Sequence, residues 1–148
     1  MNLLDLDDET GARMAEEVAS DVAADNLYLS PRLIPEGVRQ YPNLHRRAAE
    51  AGTDATLAVA LTVPGTLNAQ EPAAHPKGGP DIVKAVPVTA PHTLAEGEFK
   101  RFYARAACVR AVDAAGPDAV VTIYRARHPD DPRQESVGLR SQAATPGG

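Results

Sequence analysis

Hydrophobic positions recur at helical spacing in the first quarter of the chain and again in the last third. Met14, Val18 and Val22 fall every four residues with alanines beside them, which predicts a helix over 8–26. Asp7 or Asp8 is placed to cap it, and the acids of its first turns suit the positive end of the helix dipole. The apolar stripe is narrow, so this helix is expected to rest on the body of the protein. Pro31, Pro35 and Pro42, with Gly37, punctuate a connector over 27–42 whose Leu29, Leu33 and Ile34 can still pack inward. A short helical stretch follows from Asn43 to Ala51. Gly52 stands where a helix commonly ends in a left-handed residue. Residues 55–63 fit either a helix or a buried strand; the capping residues Thr53 and Asp54 and the alanines favour a helix.

Residues 64–80 form the longest break, rich in proline and glycine, and loops of that length inside a compact domain are uncommon. Ile82 to Val88 then reads as a strand that Pro87 confines to an edge or a short span. The capping-box pattern Thr93-Leu94-Ala95-Glu96 opens a helix from about Leu94 to Ala115, stopped by Gly116-Pro117. Its inward stripe is Phe99, Phe102, Ala106, Val109 and Val112. Ala119 to Arg127 reads as a central strand, because Val120, Val121 and Ile123 begin both faces with apolar residues. Strand, long helix and strand together have the layout of a βαβ unit. Arg133 to Leu139 fits a further edge strand, and Gln142 to Gly148 a loose tail.

The fold class implied is α/β or α+β in a single small domain, a helical N-terminal half followed by a strand–long helix–strand unit. Three parts make it up: an acidic helical arm over 1–26, a globular body over 27–127 carrying the loop at 64–80, and a Pro/Gly-rich tail over 128–148. The core is expected to be Phe99, Phe102, Val109, Val112, Val120, Val121, Ile123, Val86, Leu57 and Leu61.

Composition narrows the class of protein. At 148 residues a single domain is expected. Tryptophan is absent and aromatics make up only 4% of the chain, so the core has to be built mainly from aliphatic side chains. Cys108 is the sole cysteine, which excludes an intrachain disulfide framework. No apolar run approaches the ~18 residues of a membrane span, and the acidic start lacks the basic and apolar regions of a signal peptide. A cytoplasmic protein that avoids membranes is therefore expected. Abundant alanine and the preference for arginine over lysine point to a GC-rich bacterium or its phage. The net charge of −5 is uneven. Residues 1–26 carry eight acids, from Asp5 to Asp25, against Arg13 alone, which leaves the remainder mildly basic. Such an arm can dock on the body or on a basic partner.

Candidate chemistry is sparse. The run from Leu44 to Ala58, with Arg46 and Arg47 before the break at Gly52, resembles the bihelical turn of bacterial repressors. The likeness covers about 15 residues, and its second helix carries Ala, Val and Leu where base reading needs Arg, Asn or Gln. The loop His75-Pro76-Lys77-Gly78-Gly79-Pro80 offers Lys77 and flexible amides to an anion. Arg101 and Arg105 share a helix face, and Arg125 and Arg127 share a strand face; together with Lys77 they outline an anion-binding cluster for phosphate or carboxylate, unless acids such as Asp113, Asp130, Asp131 or Glu135 neutralise them. Glu96 and Glu98, in the first turn of the long helix, argue against an anion bound at that helix end. His45, His75, His92 and His128 lack metal-ligand spacing, so no metal or cofactor is expected. No nucleophile stands in an activating context, and an enzyme is not favoured. Ala104, Ala107 and Ala111 form a helix face that admits a close partner: the acidic arm, or a second subunit. The leading expectation is a non-enzymatic interaction or assembly protein that binds a protein partner or itself. A nucleic-acid-associated protein and an anion-binding domain or enzyme are the alternatives.

Overall fold

A computed structural model of the chain describes residues 6–122 and 143–144. The fold is mixed α+β: a helical N-terminal half, then strand and long helix. By compactness the chain divides into two units, residues 1–105 and 106–148.

In the first unit, α1 spans Asp8–Ala23, and the Asp7 carboxylate caps it by accepting the Thr10 amide at 2.8 Å. Met14 and Val18 of the expected stripe are fully buried, whereas Val22 is exposed. This helix packs closely on α2, Pro35–Ala51. A Cβ at Gly11 would stand only 2.7 Å from the Ala49 carbonyl oxygen, so glycine is what allows the two backbones to meet. The sequence expectation for this region is corrected in two respects. What reads as a connector becomes helical from Pro35, where a proline suits the first turn. The helix also runs through Pro42 instead of starting after it. Pro42 cannot donate to the carbonyl four residues back, a loss of about 3 kcal/mol in a helix interior. The burial of Tyr41, His45, Ala48 and Ala49 on one face offsets it.

Helix α3, Asp54–Leu61, resolves the ambiguity of that segment as a helix, with Thr53 and Thr56 capping each other reciprocally. Gly52 is extended (φ −135°) and not left-handed, and a Cβ there would meet the Thr56 side chain at 2.9 Å. Leu57 and Leu61 are buried as expected.

The long break contains order. Gln70–Ala73 forms β1, which pairs antiparallel with β2, Ile82–Ala85, in the register Gln70 to Ala85. Residues 74–81 are the tip of this hairpin, with Gly78 and Gly79 at positive φ. An isolated bridge between Leu33 and Leu67 ties its base to the segment before α2. A bidentate ion pair does the same, Arg32 Nε and Nη2 donating to Glu71 at 2.6 and 2.9 Å.

Helix α4 spans Ala90–Ala115 and crosses the boundary between the units. It begins three residues before the expected capping box. Proline is tolerated in a first turn, where amides lack helical partners anyway, so Pro91 does not delay the start. The first turn therefore contains no acid, and Glu96 and Glu98 lie further along. Gly116, at φ +83°, ends the helix as expected. Phe99, Phe102 and Ala106 are fully buried; Val109 and Val112 are half-buried.

In the second unit, β3 is Val121–Thr122 and pairs antiparallel with β4, Ala143–Ala144, which falls in the segment expected to be a loose tail. Among the described residues the strands flanking α4 thus belong to two separate two-stranded sheets and do not pair as a βαβ unit. Val120 is 65% exposed rather than core. Ile123, the rest of the expected strand to Arg127, and Arg133 to Leu139 lie outside the described residues. No helix among the described residues is long and apolar enough to cross a membrane.

Candidate functional site: a buried polar junction

The junction of α1, α2 and α4 gathers the most unusual chemistry of the first unit. Tyr41 and His45 are one turn apart on α2, and both are fully buried. Their rings lie 5.5 Å apart, and His45 meets Phe102 of α4 edge-on at 4.9 Å. The Tyr41 hydroxyl, both His45 ring nitrogens and Glu98 Oε2 are buried without a hydrogen bond. Burial pushes the Tyr41 phenol up, and the neighbouring Glu98 carboxylate pushes it the same way. Burial lowers His45 to about 4, assisted by the charge of Arg101. Burial also raises Glu98, against the pull of Arg101, whose Nη2 lies 3.5 Å away.

Arg101 and Arg105 flank this cluster, each with its guanidinium carbon 4.9 Å from the Phe102 ring centre. Acids of α1 engage both. Arg105 donates to Asp21 at 2.7 and 3.1 Å and also to Glu17. Arg101 donates to the same Asp21 at 3.4 Å. The Asp21 hydrogen bonds, more than any other influence, raise the Arg105 guanidinium. The acidic arm therefore docks on its own body: Asp21 and Glu17 of α1 meet these arginines, and Glu98 of α4 lies beside Arg101.

The other expected site residues are dispersed. Lys77 is exposed on the hairpin tip, where its amide donates to His75 Nδ1 at 3.1 Å. Arg125 and Arg127 lie outside the described residues. Arg46 pairs with Glu50 at 2.7 Å on the surface of α2, and Arg47 is exposed. Ala104 is exposed, while Ala107 and Ala111 are half-buried. Among the described residues, no group of three His, Cys, Asp or Glu side chains is placed to hold a metal ion. A cleft of about 160 Å³ lined by Tyr28, Ser30, Arg32, Leu67, Ala90, Thr93 and Leu94 is smaller than the ~300 Å³ from which small-molecule pockets usually begin.

Sequence reading missed Tyr41 and His45, because it places Tyr41 in a connector and His45 among scattered histidines. Their spacing of four, with Ala48 and Ala49 following, is the signal that identifies a buried helix face once Pro42 is allowed inside the helix. No family model, curated protein or solved structure matches this chain.

Proposed function

We propose that this chain is a non-enzymatic interaction or assembly protein that works in the cytoplasm of a bacterium or its phage by binding a protein partner or another copy of itself. The observation that carries this reading is the surface of α3. Only Asp54 and Thr56 of its eight residues are polar, and Leu57 and Leu61 face the core. Val59, on the opposite side, is 69% exposed, and Val63 just beyond the helix is also exposed. Large apolar side chains grouped on a surface favour burial against a partner.

The same geometry weakens the alternatives. An anion at Arg101 and Arg105 would have to displace Asp21 and Glu17, and phosphate binding at Arg46 would have to displace Glu50. The helix after Gly52 offers valine and leucine to a nucleic acid, not a base-reading side chain.

Size-exclusion chromatography with light scattering, read at 260 and 280 nm, tests the proposal on the wild-type chain and on Val59→Glu with Val63→Glu. A defined oligomer or partner complex that is free of nucleic acid and lost in the double variant supports it. Co-eluting nucleic acid, or an assembly indifferent to both glutamates, overturns it.

A further inference from the structure

We propose that the α1–α2–α4 junction is an acid-sensitive latch: protonation of His45 releases α1 from the body. Three groups of observations carry the inference. His45 is fully buried with neither ring nitrogen hydrogen-bonded, so no acceptor stands ready for the second N–H that protonation creates. Phe102, the ring it touches, already carries Arg101 and Arg105 over it. A further cation at His45 would face these two guanidiniums in a low-dielectric interior, where like charges repel strongly. Finally, α1 is held to α4 through Asp21 and Glu17, which pair with the same two arginines.

The charged and titratable groups gathered at the junction make the direction clear. α1 supplies Glu17 and Asp21, α4 supplies Glu98, Arg101 and Arg105, α2 adds Tyr41, and the segment before α2 adds Tyr28 to the field at Tyr41. Protonation of His45 adds a third cation beside the two guanidiniums that lie over Phe102. Glu98 partly opposes the opening, because its burial favours the protonated form. The Arg101 and Arg105 contacts and the His45 contact converge on one ring, so a charge on His45 disturbs the packing that positions both arginines for α1.

Hydrogen exchange by mass spectrometry on the full chain, corrected for the intrinsic rate at each pH, tests this. Between pH 7 and 4.5, amide protection of Asp8–Ala23 in the wild type is expected to fall at least tenfold further than protection of α3. His45→Phe should retain most of that protection. His45→Gln, which keeps polarity without titrating, serves if the larger ring does not fold. Asp21→Asn should loosen α1 already at pH 7. Equal loss of protection in α1 and α3, or superimposable pH profiles for wild type and the His45 variant, overturns the proposal.

Discussion

His45→Phe has a consequence for global stability that can be worked out from its burial. An ordinary histidine titrates near 6.5 and His45 near 4, so the folded state binds the proton more weakly by about 2.5 units. At 1.36 kcal/mol per unit, the linked free energy is about 3 kcal/mol. The sign follows from the lowered value. Above pH 6.5 the imidazole is neutral in both states and its contribution is fully present. As pH falls from 6.5 towards 4, the unfolded chain takes up a proton that the folded chain refuses, and stability declines. Glu98, raised by burial, acts in the opposite direction, and its contribution is lost as pH rises. Because Glu98 is present in both proteins, the difference between wild type and His45→Phe isolates the histidine. At pH 7 the phenyl ring removes two buried nitrogens without partners, worth about 1–3 kcal/mol each, against an overpacking cost of about 1–3 kcal/mol. The neutral-pH difference is therefore expected to be small, and the pH dependence is decisive. Urea unfolding followed by far-UV circular dichroism at pH 7 and pH 4 should show wild type losing about 3 kcal/mol relative to the variant. Parallel stability profiles across that range would show that His45 is either accessible to solvent or already compensated, and would refute the reasoning.

Gly37→Ala places a Cβ 2.1 Å from the Thr66 carbonyl oxygen and should lower the melting temperature sharply, by ~2 kcal/mol or more in stability. Gly97→Ala, in open space within α4, should instead stabilise by roughly 0.5–1 kcal/mol in the same thermal scan. Arg105→Ala breaks two ion pairs on a side chain 36% exposed, so the expected loss is about 1 kcal/mol and should shrink in high salt; a loss insensitive to salt would assign it to packing on Phe102. Pro42→Ala restores an amide inside α2 and should raise the urea midpoint, by up to about 3 kcal/mol; a destabilised variant would mean that the proline ring itself packs there.

Much of the local structure was legible in the chain itself. Asp7 caps α1, Thr53 caps α3 and Gly116 stops α4, because each acts on amides or dihedrals within a few residues of itself. Phe99 and Phe102 were recognisable as core from helical spacing, and Leu57 and Leu61 from an apolar run that fitted either a helix or a buried strand. The same periodicities narrowed the class to α/β or α+β, and the sheet pairing decided for α+β. The candidate site was only half visible: Arg101 and Arg105 fell on one helix face in the sequence, but their partners Asp21 and Glu17 lie 80 to 88 residues earlier.

Tertiary structure decided the rest, because its causes are non-local. Pro42 breaks a helix by every local rule, yet α2 continues through it since burying Tyr41 and His45 on one face outweighs a single missing hydrogen bond. The loop at 64–80 became half of a hairpin because Arg32 and Leu33 hold its base from outside. β2 and β3 flank one long helix and still pair with other strands, a choice that depends on which strand edges meet in space. And His45, unremarkable in sequence, acquired its low proton affinity only when α2 and α4 closed on it and buried its ring.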